Sequence, residues 1–334
     1  MTGGHNTERG HTSARKYRSI DNRLIAGVLL MSCGALPAQA ASLALLAPFG
    51  DFALRDPAEP AQPGPPVFYD ATSREAGWHI VQWDIPGGRL SPFSRSKSGA
   101  VEVIDSTAPE AAIRIIRGPR RRAIKLVQDG AVLPCTDKHG APRESDLFFG
   151  PKDRAAPGPN ALTAGPIRLD QIRSLVLTTT ARVRYGMTAF PKGCPINQGA
   201  AIAAVVLNNL FKHPAQTLFY KVSLSAPCGP GPAARVRMCE AGTKAAGFYF
   251  RHNPFGVDDW LPLLGQPFLA EGERREITLD LLPRLRQLIA SGPEEMDHDP
   301  AHWVIDNAYA GQHIWGDFRL ASSWEGFQLS ADPK

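Results

Sequence analysis

Ile172-Arg173-Ser174-Leu175-Val176-Leu177-Thr178-Thr179-Thr180-Ala181-Arg182-Val183-Arg184 carries the pattern that decides the fold. Ile172, Leu175, Leu177 and Val183 interleave with Arg173, Ser174, Thr178 and Arg182, the alternation of a strand with one face buried and one face wet. Upstream, similar short runs occupy 78–84, 111–117 and 123–128; downstream they occupy 201–208, 217–225, 246–251, 303–306, 313–320 and 327–330. Gly and Pro supply 61 of the 334 residues and separate these runs. One helix breaks the series. Asp280 can cap it, Leu281, Leu282, Leu285, Leu288 and Ile289 share one apolar face, and Gly292-Pro293 ends it. Many short strands with a single late helix predict an all-β sandwich or barrel. Helices do not alternate with strands, which excludes a doubly wound nucleotide-binding fold.

Toward the N-terminus the reading changes. A polar, basic stretch ends at Arg23, and the apolar run 24–32 is too short to span a bilayer but fits the core of a secretory leader. Ala38-Gln39-Ala40 supplies the small-x-small cleavage pattern, so 1–40 is expected to be a signal peptide and the protein secreted or periplasmic. A lipobox ending at Cys33 is the alternative, with a lipid anchor there. No later segment reaches 18 uninterrupted apolar residues, so no membrane span is expected. Residues 41–55 are apolar enough for an edge strand, 56–66 read as a Pro-rich linker, and 67–330 as the β-sandwich domain.

Outside 1–40 the chain carries 32 basic and 30 acidic side chains, too balanced for a nucleic-acid partner. The run Arg117-Gly118-Pro119-Arg120-Arg121-Arg122 reads as a solvated hairpin tip. Four cysteines remain after the leader, Cys135, Cys194, Cys228 and Cys239, an even number suited to two disulfides. Three pairings are possible. The tight Gly229-Pro230-Gly231-Pro232 connection favours Cys228–Cys239 and leaves Cys135–Cys194. Residues 129–166, rich in Gly, Pro and charge, read as a long surface excursion pinned by Cys135.

The C-terminal third carries a resemblance. The helix, Trp303-Val304-Ile305, Ala310-Gly311-Gln312-His313-Ile314-Trp315-Gly316 and Trp324-Glu325-Gly326-Phe327-Gln328-Leu329 follow one another. This succession resembles the closing strands of the concanavalin A-like lectin and glucanase superfamily. It implies a jelly-roll-like antiparallel β-sandwich and a polysaccharide or oligosaccharide partner. In the small endo-glucanases of that class, an Ala-Gly-x-Glu-x-Trp run holds the acid/base Glu, and a second Glu is the nucleophile. Here His313 stands at the matching place, and 217–225 offers Tyr220 and Lys221 but no carboxylate, so the resemblance does not carry the two-carboxylate mechanism across.

The candidate site residues follow. His313 and Tyr309 are the acid–base candidates, because imidazole and phenol can move protons. Trp260, Trp315, Tyr249 and Arg251 are the substrate-binding candidates, since indole and phenol rings stack on sugar C–H faces and Arg can pair with a uronate. By the two-residue period, Tyr249 and Arg251 share a face. His298, Asp299, His302 and Asp306 have near-ligand spacing, but Pro300 interrupts them, so a solvated loop is expected, with no metal and no cofactor. The function expected is carbohydrate binding. A polysaccharide lyase with Tyr/His chemistry and an envelope-associated module without ligand are the alternatives.

Overall fold

A computed structural model describes residues 42–57, 67–83, 88–136, 140–152, 166–185, 193–194, 196–209, 211–226 and 247–334. The expected leader with Cys33, most of the Pro-rich linker, and Cys228 and Cys239 with their proposed pairing lie outside these residues.

Two sheets face each other. The smaller runs, edge to edge, β16 (Arg274–Asp280), β11 (Ile172–Tyr185), β18 (Arg319–Pro333), β8 (Arg122–Asp129), β7 (Ala111–Arg117), β6 (Val101–Ala108) and β5 (Ser94–Ser98), with β1 (Leu43–Ala44) beside β18. The larger runs β14 (Gly247–Phe250), β15 (Phe255–Trp260), β13 (Gln216–Ser223), β12 (Gln198–Asn209), β17 (Trp303–Trp315), β9 (Glu144–Pro151), β4 (Trp78–Trp83), β2 (Phe52–Arg55) and β3 (Phe68–Ala71), with β10 (Ile167–Arg168) beside β17. Nearly every pairing is antiparallel, the exceptions being β13 with β15 and β2 with β4. The fold is a jelly-roll sandwich with one α-helix among the described residues. Strands β1 and β2 precede the Pro-rich linker, so the sandwich draws on 41–66 as well as on 67–330. Far from forming an edge, β2 lies inside the larger sheet between β3 and β4.

The core fills the space between the sheets. Phe49, Phe52, Trp78, Phe149, Trp324 and Phe327 meet mostly edge to face, with centroids 5.4–6.4 Å apart. Trp78, Trp303 and Trp324 are fully buried. Buried Gln312 is matched on both sides: it donates to the Leu320 carbonyl at 3.0 Å and accepts from Ser322 Oγ at 2.7 Å, which in turn accepts from Trp324 Nε1.

The helix α1 (Leu282–Ala290) lies where the periodicity places it, with Leu282, Leu285, Leu288 and Ile289 buried. Asp280 Oδ1 accepts from Leu282 N at 3.2 Å and from Leu175 N at 3.0 Å, so one carboxylate starts the helix and ties it to β11. Arg284 of α1 then reaches Asp259 of β15 with two hydrogen bonds, at 2.6 and 2.9 Å. Tyr220 donates to the same carboxylate at 3.0 Å. Asp259 is fully buried and well satisfied, a structural clamp between helix and sheet.

Two expectations need correction. Residues 303–306 and 313–320 are not two strands: β17 runs unbroken from Trp303 to Trp315, and β18 begins at Arg319. The alternation breaks because Asp306 is an extra residue, a bulge between the pairs Leu207–Ile305 and Val206–Asn307. Before the bulge Trp303 and Ile305 face the core; after it Ala308, Ala310, Gln312 and Ile314 do. Likewise, 129–166 is not one long excursion. It contains β9, an interior strand that is mostly buried on both faces, so it shows little of the apolar–polar contrast that marks a strand.

The Cys135–Cys194 disulfide, the remainder pairing of the sequence reading, links residues 59 apart. It sits beside the turn that follows β17. There Gly316 has φ +64, and a Cβ would collide with the Ile196 carbonyl, so only glycine fits. At the Arg-rich hairpin two of the four guanidiniums are paired: Arg117 with Asp51 at 2.8 Å, and Arg121 with Glu325 at 2.7 Å.

Candidate functional site

The larger sheet has a second face, turned away from the smaller sheet. Pleating decides which residues reach it, and the register lines them up in rows across the strands. One row places Trp83, Asp146, His313 and Ala200 side by side. The next holds Val81, Phe148, Gly311, Ile202, Ser223 and Trp260. A third holds Tyr309, Ala204, Lys221 and Asp258. Trp315 pairs with Glu144 at the end of β17. The central strand β12 contributes only Ala200, Ile202, Ala204 and Val206 to the middle of this face, so the large and charged residues stand on either side of a low floor.

Tyr249 of β14 stands at the rim of this face, its hydroxyl pKa raised chiefly by burial, against the pull of Lys221 and with smaller help from Asp258 and Glu144. Tyr249 gains its place because its ring lies on Gly256 of the neighbouring strand, where a Cβ would overlap the ring. The middle of the face is buried, with Phe148, Ala200 and Ile202 forming a small cluster against Tyr309. The rim is not: Trp83 is 39% and Tyr249 42% exposed.

The ionisable groups here sit in a desolvated setting. Lys221 Nζ lies 3.8 Å from Asp258 Oδ1 and 4.6 Å from the centroid of the Tyr249 ring. Burial works against the Lys221 ammonium, but Asp258, Tyr249 and Tyr309 together outweigh it, so its pKa is raised and the charge kept. Burial pushes the Asp258 carboxyl up, against the pull of Lys221 and with help from Asp259. Burial also raises both Tyr249 and Tyr309, which remain phenols and hydrogen-bond donors. His313 goes the other way: burial, then the Lys221 charge, lower its pKa well below the usual imidazole value, so the ring is neutral. Further along the face, burial and then Arg55 push His79 down to about 3.

His313 Nδ1 stands 3.5 Å from Glu144 Oε1, and donor atoms of Glu144, Asp146 and His313 all lie within 4.8 Å of one another. The His313 ring packs on Trp315 with centroids 4.4 Å apart. Five strands thus bring together a neutral imidazole, three carboxyls, an ammonium and two phenols. Such a grouping can hold a polar ligand, exchange protons with it, or bind a cation.

Of the residues expected from sequence, His313, Tyr309, Trp315 and Tyr249 share this face. Trp260 is on it but only 9% exposed, packed against Phe268 with centroids 5.6 Å apart. Arg251 is exposed and lies past the end of β14, whose pairing is irregular between Phe248 and Phe250, so the period that would align it with Tyr249 does not hold. His302 pairs with Asp297 at 2.9 Å and stacks on Phe211, away from Asp306 in the bulge. Lys221, Asp258, Glu144 and Asp146 complete the cluster. The signal for the last two was present in Glu144-Ser145-Asp146, two acids one period apart.

No family model matches the chain, and no curated protein sequence is similar to it. Among solved structures, it is similar to the family 11 xylanase from Neocallimastix patriciarum at 7% identity and TM-score 0.39, covering 76% of this chain and 99% of that one. A family 12 xyloglucanase from Bacillus licheniformis matches at 9% identity and TM-score 0.36, covering 72% of this chain and 98% of that one. Endoglucanase 3 of Trichoderma harzianum matches at 9% identity and TM-score 0.34, covering 78% of this chain and all of that one. At such identities the likeness concerns the path of the chain and not the side chains of the site.

Proposed function

We propose that this is an exported, polysaccharide-directed β-sandwich protein that binds its ligand along the second face of the larger sheet. The observation that supports this reading is the row arrangement: charged and hydroxyl groups of Lys221, Asp258, Tyr309 and Tyr249 beside a floor of small residues, with Trp83, Trp315 and Tyr249 at hand for stacking. Sugars present hydroxyls to the first set and C–H faces to the second. Export, to the periplasm or outside the cell, is supported by the leader-like 1–40 and by the Cys135–Cys194 disulfide, which suits an oxidising compartment. Among the described residues no helix is long and apolar enough to cross a membrane.

Cleavage by elimination is the second reading, and the Lys221 ammonium beside two phenols favours it. Lys221 would neutralise a uronate carboxylate, acidifying the adjacent C–H; the neutral His313 imidazole would take that proton, the freed electron pair would form the C=C bond as the glycosidic C–O bond breaks, and Tyr309 would hand its own proton to the departing oxygen. A glycan array of neutral and acidic oligosaccharides tests the first reading: saturable binding weakened by Trp315→Ala supports it, and no binding across the array overturns it. Growth of unsaturated-uronate absorbance, lost in Tyr309→Phe, then separates a lyase from a passive binder.

A further inference from the structure

We propose that His313, Glu144 and Asp146 form a binding site for a divalent transition-metal ion of the zinc class. The three residues come from two paired strands. His313 stands opposite Asp146 in the β17–β9 register, and Glu144 stands one period along β9 on the same face. Their donor atoms lie within 4.8 Å of one another, and His313 Nδ1 is 3.5 Å from Glu144 Oε1. In a tetrahedral site with bonds near 2.1 Å, neighbouring ligand atoms are about 3.4 Å apart. The imidazole and Glu144 already hold that spacing, and a side-chain rotation of Asp146 closes the third edge.

A second observation points to a ligand. His313 is only 4% exposed, and its Nδ1 makes no hydrogen bond, because Glu144 Oε1 is too distant and poorly aligned to serve. A buried ring nitrogen without a partner is costly, and a bound cation would satisfy it. The ring is held in place by its contact with Trp315, so the lone pair is fixed toward the carboxylates.

The chemistry of the set chooses the ion. One imidazole nitrogen with two carboxylates suits zinc-class ions, whereas calcium seeks six to eight oxygens and rarely takes nitrogen. Two carboxylates neutralise a divalent charge. Lys221, whose charge reaches His313, has Asp258 beside it at 3.8 Å. Three protein ligands leave a coordination position for water or a ligand oxygen, the pattern of reactive rather than structural zinc.

The site shares a face with the proposed glycan surface but does not depend on it, so the test contains no glycan. The mature protein, disulfide intact and stripped with chelator, is titrated by calorimetry with ZnCl2, MnCl2 and CaCl2 in turn. We expect one zinc ion per chain, bound at least about 100-fold more tightly than calcium. His313→Gln and Asp146→Asn should each loosen zinc at least about 100-fold, while His302→Gln, altering the other His–carboxylate group, should change nothing. Glu144→Gln serves as a third variant, since Glu144 is partly exposed and its amide fills the same space. Absence of a saturable one-to-one zinc isotherm overturns the proposal, as does wild-type affinity in the folded variants.

Discussion

Asp258 and Asp259 are consecutive residues on one strand, and they live in opposite worlds. Asp259 points into the sandwich, where Arg284 and Tyr220 give it three hydrogen bonds. Asp258 points to the second face, where its named partner is an ammonium 3.8 Å away, beyond hydrogen-bond distance. The same contrast recurs at other residues on the two faces of the larger sheet. Toward the smaller sheet, polar groups such as Gln312 are matched by close partners. On the second face, His313, His79 and Asp258 carry shifted pKa values that burial dominates, and atoms of each lack hydrogen bonds. Desolvated, shifted groups gathered on one face are what a binding or catalytic surface needs, which is why the proposed function is placed there.

The largest expected effect comes from breaking the satisfied side. Asp259→Ala strands Arg284 and should cost about 3–5 kcal/mol in urea denaturation, while the folded fraction keeps its ligand affinity. Asp258→Asn, one residue away, should cost clearly less, because burial already penalises the Asp258 charge and offsets part of what its pairing with Lys221 contributes. Equal costs at the two positions would end the contrast.

Next is the disulfide. Replacing Cys135 and Cys194 by Ser releases a loop of about 60 residues and should cost about 2–4 kcal/mol. Because the bridge abuts the turn after Trp315, ligand binding should weaken too, measured by calorimetry at a temperature where the variant is folded. An effect on stability alone would place the site further from this end of β17.

Smaller still is Trp315→Ala. It should lower glycan affinity about tenfold by removing stacking area, and shift the melting temperature little. A variant that loses stability and keeps affinity would assign Trp315 to packing.

The smallest effect is a difference of sign in pH dependence. Glu325 is partly buried, but its hydrogen bonds to Arg274 and Arg121 lower its pKa below the ordinary 4.5. Its stabilisation is present above that value and is lost as pH falls. Asp258 has a raised pKa, so its contribution is present below the ordinary 3.8 and is lost as pH rises through the folded value. Glu325→Gln should therefore cost less than about 1 kcal/mol at neutral pH and nothing in acid. Asp258→Asn should gain on the wild type as pH rises. Denaturation at several pH values would show both slopes.

Much of the sandwich was legible in the alternation of 172–184 and in the spacing of its sister strands, because those strands have one wet and one dry face. The helix was legible for the same reason at a different period. Strand β9 was not, since Leu147 and Phe149 on one side and Phe148 on the other are all buried, and alternation needs contrast. The site was half legible. His313, Tyr309 and Trp315 lie on one strand and share a face by simple parity. Lys221 joins them through the antiparallel pairings of β12 with β17 and β13, Asp258 only through the parallel pairing of β13 with β15, and Asp146 only through the pairing of β9 with β17, and none of these registers is written in local sequence.

The bulge at Asp306 behaves like an inserted letter in a two-letter reading frame. Upstream of it the odd-numbered residues of β17 are addressed to the core; downstream the even-numbered ones are, and His313, Tyr309 and Trp315 fall into the complementary phase. A deletion of one residue between the bulge and Tyr309 would transpose that phase, sending an imidazole and two large aromatic rings inward and Gln312 and Ile314 outward. A second deletion nearby would restore it. Length, rather than identity, is therefore the quantity this stretch of chain can least afford to vary.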